Sequence, residues 1–398
     1  MWNVAKGMRR LHRVLLLTAS FGAGHNQAAY AVQEALKDRG ASAEVVDYVS
    51  LLNPALRSFA KFSLIQGVQK APGLYGLFYK SMSRLEPDSP LQRYVNHIGI
   101  TRIQDYIDLF APDIIASTFP TPMGVVGELR RHGTVRVPNV SIVTDYTAHR
   151  QWYHEYSDHY FVATDEVRRD LEHYGVQPQK IDVFGIPLRR KFSAEAVNFL
   201  RSHRTELILQ LGLSPSVPIV LLMGGGSGVL GDAPEWETFI QKSELQYLIV
   251  CGQNRRLERR FAQLQSDRVR VYGFTSEIDR LMAAADVIVT KPGGLTLTES
   301  MAIGIPMVLF KPIPGQEEIN ADFAVRAGVA VRAQHAEEAQ AFLDRVTQEP
   351  AILEEMRRAA HQVPVLGAAD HIADRLLHLA DGIVATPLQA YPPELLMT

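Results

Sequence analysis

Short apolar runs recur along the chain, each followed by a turn and then by a helical pattern: Val14–Leu17, Ile114–Ile115, Ile142–Val143, Ile219–Met223, Tyr247–Val250, Val287–Val289 and Met307–Phe310. Several are apolar on consecutive residues, as strands covered on both faces are. Strands separated by helices, with glycines straight after strands, predict an α/β fold of parallel, doubly wound sheets. Ligand loops in such sheets lie at the carboxyl ends of the strands.

Two glycine-rich loops stand in equivalent positions, Gly22-Ala23-Gly24-His25 and Gly224-Gly225-Gly226-Ser227-Gly228, each directly after a strand. They predict two similar α/β domains, with a boundary near Phe184–Leu188, where a strand-like IDVFG run ends at Pro187. Residues 1–188 form the first domain and 189–370 the second. Residues 371–398 form a C-terminal helix and a proline-containing tail, the helical pattern running from Asp370 to Leu379. Loops of the two domains are expected to face each other across a cleft.

The length of 398 residues exceeds one ordinary core and agrees with two to three domains. With 46% apolar and 21% charged residues the chain is an ordinary globular protein, not a disordered one. The single cysteine, Cys251, excludes an internal disulfide and a cysteine-based zinc cluster, and after a YLIV run it reads as packing. No apolar run reaches the ~18 residues of a spanning helix. The basic N-terminus leads into only a short apolar stretch, better read as a first strand than as a signal peptide, so a cytoplasmic protein is expected. A net charge of −2 gives no reason to expect nucleic acid.

That average hides an asymmetry. Residues 1–85 hold 11 Lys/Arg against 4 Asp/Glu, with no acid at all between Tyr48 and Leu85. Within this stretch Arg57 and Lys61 interleave with Phe59, Phe62, Tyr75 and Phe78. Basic and aromatic residues without acids suit an anionic membrane surface. A helical lobe of the first domain is the other reading, and the two are compatible.

Residues 291–320 carry the most chemistry. A strand runs into the Gly293-Gly294 turn, a helix bearing Thr296 and Glu299 follows, then a second strand and a polar loop with Gln316-Glu317. Backbone N–H groups at a helix N-terminus suit a phosphate. Glu299 suits ribose hydroxyls, and Gln316-Glu317 suit the hydroxyls of a hexose, although a solvated loop would also explain Glu317. A phosphate binder needs only the glycines, whereas a sugar-nucleotide binder needs the acid and the polar pair as well. Gly226 and Ser227 offer further donors to a pyrophosphate, unless that loop is simply a flexible turn. Phe274 and Thr275 form a turn onto which a base could stack, unless Phe274 belongs to the core.

In the first domain Gly24 and His25 open an Ala-rich helix, whose positive end disfavours imidazolium and leaves the ring able to accept a proton. The bland alternative is a tight turn with a capping histidine. Asp145 follows a strand and is a candidate orienting or proton-accepting residue, with His149 and Trp152 close behind. The spacing of His149, His154, His159 and His173 does not fit a metal pair on one helix face, so no metal is expected.

Taken together, Ser20–His25, the VTDY…H…W segment at 143–152, the turn at 273–275, K-P-G-G-x-T-x-x-E at 291–299 and P-G-Q-E-x-x-N at 314–320 resemble one family. It is that of plant monogalactosyldiacylglycerol synthases and bacterial processive diacylglycerol glucosyltransferases (glycosyltransferase family 28). More distantly the set resembles the N-acetylglucosaminyltransferase of peptidoglycan synthesis. Where the family loop commonly carries more glycine, this chain has Phe21-Gly22-Ala23-Gly24.

The resemblance implies a GT-B fold of two facing Rossmann-like domains and inverting hexose transfer from UDP-glucose or UDP-galactose. It implies diacylglycerol or a related lipid as acceptor, no cofactor or metal, and a peripheral enzyme on the cytoplasmic face of the membrane. In that picture uracil lies near Phe274, pyrophosphate near Ser227 and Thr296, ribose on Glu299 and hexose on Gln316 and Glu317. His25 or Asp145 takes the acceptor proton, and His149 and Trp152 join the acceptor region.

Overall fold

The computed structural model describes residues 11–20, 23–52, 89–226, 228 and 233–382. The basic-aromatic positions Arg57, Phe59, Lys61, Phe62, Tyr75 and Phe78 lie outside the described residues, as does Ser227. Two six-stranded sheets form the frame. The first holds β1 (Arg13–Thr18), β2 (Ser42–Asp47), β3 (Ile114–Ser117), β4 (Asn139–Ile142), β5 (His159–Val162) and β6 (Ile181–Val183) in the order β2-β1-β3-β4-β5-β6. The second holds β7 (Ile219–Met223), β8 (Gln246–Val250), β9 (Val269–Tyr272), β10 (Val287–Thr290), β11 (Met307–Phe310) and β12 (Ala330–Ala333) in the order β12-β11-β10-β7-β8-β9. Every neighbouring pair is parallel.

Helices cover both faces, which is why β3, β4, β7, β8, β10 and β11 are buried at every residue. The chain between the domains straddles them. Arg189 is tied back to the first domain through Glu34 (2.7 Å) and Gln27 (3.1 Å), while Lys191 reaches the Ser276 carbonyl of the second (2.7 Å). One apolar cluster runs through both domains, joining Val143 and Tyr146 to Leu295, Leu297 and Ala321.

The C-terminal helix, Ala368–Gly382, is longer than its sequence pattern and returns to the first domain. Ala369, Ile372, Ala373 and Leu376 pack with β1, β3, β4 and the helix Ala23–Asp38 in a single cluster. Arg39 forks to Asp374 and also reaches Asp370, and Arg375 meets Asp182 at 3.1 Å. The helix is therefore a strap holding the end of the second domain against the first. Among the described residues no helix is long and apolar enough to cross a membrane.

Ile372 is fully buried under this strap. Ile372→Ala is expected to lower unfolding free energy by about 2–4 kcal/mol in denaturant titration. A loss below ~1 kcal/mol would mean that the strap contributes little.

Candidate active site

Strand order reverses once in each sheet, and parallel sheets open their ligand crevices at such points. In the first sheet the reversal lies between β1 and β3, so the loop leading to His25 meets Thr118. In the second it lies between β7 and β10, which brings the Gly224–Gly228 loop beside Gly293-Gly294. Two segments nearly seventy residues apart are neighbours here because of topology alone.

His25 occupies the first turn of the helix Ala23–Asp38. Its Nδ1 lies 3.0 Å from the Thr118 carbonyl oxygen and 2.7 Å from Thr144 Oγ1. A carbonyl only accepts, so Nδ1 carries the proton and Nε2 holds the lone pair. The Phe119 ring meets the imidazole edge-on at 4.9 Å. Burial pulls the His25 pKa down to about 4, against the opposing pull of the Thr118 carbonyl. Burial thus acts in the same direction as the helix end in keeping the ring neutral. His149 behaves alike: burial takes it down to about 4, and nearby His25 adds to the effect. Trp152 is only 1% exposed and packs in the apolar cluster through both domains.

On the second domain the helix Gly294–Ile303 starts directly after β10, with Thr296 in its first turn. Burial lifts the Glu299 carboxyl to about 8, with Lys191 opposing and Asp279 reinforcing the shift. Lys191 lies 3.1 Å from Asp279, so one lysine serves two acids at this edge. No pattern in the sequence marked it. The loop containing Gly226 is stitched to its neighbour by Gln253 N–H donating to the Gly226 carbonyl (3.0 Å) and by Asn254 Nδ2 donating to that of Gly228 (3.1 Å). Gly228 has φ +62°, and an added Cβ there would strike the Cys251 carbonyl.

Phe274 is 64% exposed, which excludes the core reading and leaves its face open for stacking. Thr275 accepts from the Glu277 amide at 3.1 Å and fixes this turn. Gln316 and Glu317 are not in a loop but form the first two residues of the helix Gln316–Arg326. Gln316 faces Asp145. Glu317 accepts from Ile313 N–H at 2.8 Å; burial raises its pKa and Lys291 opposes. It therefore holds its own turn, not a solvated position.

The halves meet where the Gly294 backbone presses on Thr144 and Asp145. An added Cβ would collide with the Thr144 carbonyl and come within 3.0 Å of Asp145 Oδ1. Gly24 also faces Leu295, whose Cβ would stand 3.4 Å from an added Cβ, an ordinary contact. Asp145, 5% exposed, accepts from Asn320 Nδ2 at 3.1 Å. Burial raises its pKa to about 7, while Asn320 and Gln316 favour the ionised form. Tyr146 stacks on Phe323 at 4.1 Å and shares a hydrogen bond with Thr298 (2.8 Å). Thr118, Thr144 and Asn320 were not singled out from sequence, although Thr144 and Asn320 fall inside motifs quoted above. Among the described residues no group of three His, Cys, Asp or Glu could hold a metal ion.

The site thus presents a neutral imidazole, a helix N-terminus, a buried carboxyl and an exposed aromatic ring. Known proteins share this frame. Residues 25–188 match the model for monogalactosyldiacylglycerol (MGDG) synthase, and 237–363 that for glycosyl transferases group 1. MurG of Acinetobacter baumannii superposes with a TM-score of 0.58 at 16% identity, covering 92% of this chain and 99% of that one. Anabaena Alr3699/HepE, solved in complex with UDP-glucose, superposes with a TM-score of 0.56 at 14% identity, over 92% and 99%. The processive diacylglycerol beta-glucosyltransferase of Bacillus pumilus is 31% identical over 374 residues, 93% of this chain and 95% of its own.

Fold and site define a two-domain glycosyltransferase of the GT-B type. The chain belongs to the family of monogalactosyldiacylglycerol synthases and processive diacylglycerol beta-glucosyltransferases.

Gly294→Ala tests the contact between the halves. Because the obstructing atom is backbone, the domains must shift, and a destabilisation of about 1–3 kcal/mol is expected in thermal or denaturant unfolding. An unchanged midpoint would show that the halves are not pressed together there.

Proposed function

We propose that the protein moves one hexose from a UDP-hexose to the hydroxyl of diacylglycerol, with inversion at the anomeric carbon. The observation that carries this is the Nδ1-protonated His25 ring, next to the helix N-terminus at Gly293-Gly294 where a diphosphate would lie. The acceptor oxygen attacks the anomeric carbon, its proton passes to His25 Nε2, and the bond to the β-phosphate oxygen breaks to release UDP. As general base His25 would contribute on the order of 10²–10⁴-fold. Backbone N–H groups at Gly294, with Thr296 in the same helix turn and Gly226 after β7, would receive the charge of the departing diphosphate, a role that needs no metal ion. Uracil would stack at Phe274-Thr275, the ribose would bind Glu299 and the hexose Gln316, with Glu317 holding that turn in shape.

The acceptor assignment draws on the B. pumilus relative, whose name specifies diacylglycerol, and the donor on the UDP-glucose complex of the Anabaena neighbour. The basic-aromatic residues between 53 and 85 would bring the enzyme to an anionic membrane surface on the cytoplasmic side. The deciding experiment incubates the protein with labelled UDP-glucose or UDP-galactose and diacylglycerol vesicles, with and without chelator, then extracts the lipid. Label in a glycolipid, undiminished by chelator, is the expected result. Transfer only to a polyprenyl-pyrophosphate lipid, or none to any lipid, would reject the reading.

His25→Ala should lower kcat by about 10²–10⁴-fold while UDP still binds in calorimetric titration. Normal turnover by this variant would remove the proposed base.

Glu299 supplies a pH test. Its pKa is near 8 before ligand binds, and ribose hydroxyls donating to it favour the carboxylate, so binding releases a proton. UDP affinity should then rise about 5- to 10-fold between roughly pH 7 and pH 8.5, and the rise should vanish in Glu299→Gln. A flat profile in the unaltered protein would place the ribose elsewhere.

A further inference from the structure

Asn320 is 1% exposed and spends its side-chain amide on three partners. Its Nδ2 donates to the Pro292 carbonyl (3.1 Å), in the turn that leads into Gly293-Gly294, and to Asp145 Oδ1 (3.1 Å). Its Oδ1 accepts from the Tyr146 backbone N–H (2.9 Å). Pro292 and Asn320 belong to the second domain, Asp145 and Tyr146 to the first. One residue before Asp145 in the first domain's loop, Thr144 Oγ1 lies 2.7 Å from His25 Nδ1. Contacts therefore run without a gap from the diphosphate turn, through Asn320, to the loop that orients the imidazole. A buried primary amide is suited to this task, because it donates and accepts at once and carries no charge.

We propose that Asn320 and Asp145 form a positioning pair that couples occupancy of the donor turn to the placement of His25, and that Asp145 is not itself the proton acceptor. This rests on the transfer reaction proposed above. Asp145 accepts from Asn320, lies against the Gly294 backbone and is nearly closed to solvent, all of which suit a residue that sets the spacing of the two domains. His25 stands at the open end of the same chain of contacts, with its lone pair on the opposite side of the ring from Thr144. Breaking the pair should leave donor binding intact and misplace the base. Small errors in the position of a reacting group lower turnover more than affinity.

The test uses the full-length protein and three substitutions. Asn320→Leu should lower kcat about 30- to 300-fold, with KM for UDP-glucose and Kd for UDP within about threefold of the unaltered protein. Asp145→Asn should lower kcat less, since an amide still fills the site. Asp145→Asn combined with Asn320→Asp, which exchanges donor and acceptor across the domains, should recover at least about tenfold over Asn320→Asp alone. Such recovery is not expected if Asp145 is the base, because the exchange moves the carboxylate to position 320, on the other domain.

A readout independent of any acceptor is hydrogen exchange of the Tyr146 amide in unliganded protein. It should quicken at least about tenfold in Asn320→Leu, while amides of β7 and β10 keep their rates. Normal kcat in Asn320→Leu, a UDP affinity that falls in step with kcat, or a double variant no better than Asn320→Asp would each overturn the pair. If Tyr146 exchange responds as stated but no protein transfers hexose to diacylglycerol, the cross-domain contact of Asn320 stands and the acceptor assignment is what fails.

Discussion

The close approach of the Gly294 backbone to Thr144 and Asp145 is the contact on which the rest of the cleft depends. Only a residue without a side chain lets a helix N-terminus from one domain lie against a loop of the other. Once that approach is made, Asn320 can satisfy polar groups on both sides, and Tyr146 can stack on Phe323 and reach Thr298. The apolar cluster continuous through both domains holds the distance. The strap of the C-terminal helix then closes the chain back onto the first domain. A shift at the seam would move the imidazole and the diphosphate turn relative to each other, since each is attached to it directly.

The electrostatics of the cleft follow from the same burial. His25 and His149 are pushed towards the neutral form from one side, and Asp145 and Glu299 from the other. Before ligand arrives the walls favour uncharged side chains, with the cations Lys191 and Lys291 at the margins. On the proposed reading, a dianionic diphosphate would meet the backbone N–H groups at the start of the helix Gly294–Ile303. Fixed dipoles in a poorly solvated site act more strongly than the same groups in water. Glu317 and Lys191 keep the turns in shape, a duty that sequence pattern alone does not separate from contact with substrate.

How much of this was legible along the chain depended on burial. Strands covered on both faces, such as Ile219–Met223 and Met307–Phe310, stood out as unbroken apolar runs. Three of the four edge strands did not: Ser42–Asp47, Val269–Tyr272 and Ala330–Ala333 each mix buried and open positions, and their polar residues hid them. His159–Val162 is central and fully buried, yet its histidine and tyrosine masked it as well. Phe274, undecided between core and surface, became an exposed ring, while Trp152 is buried. Both are aromatic residues in polar surroundings, where local pattern carries no information about which side of the fold they face.

By itself the order of residues determined two doubly wound domains, the glycine turns that follow particular strands, and the local motifs that mark a sugar-nucleotide enzyme of this family. These are short-range properties, set by φ/ψ freedom, periodicity and the chemistry of adjacent side chains. Tertiary structure alone decided that Thr118 and Thr144 orient His25, that Asn320 joins Asp145 to Pro292, and that Lys191 stands beside Glu299 and Asp279. Asn320 and Asp145, 175 residues apart, meet only because the two domains pack against each other at Gly294. The protonation states follow from the solvent excluded when two surfaces close on each other, which no local stretch of chain encodes.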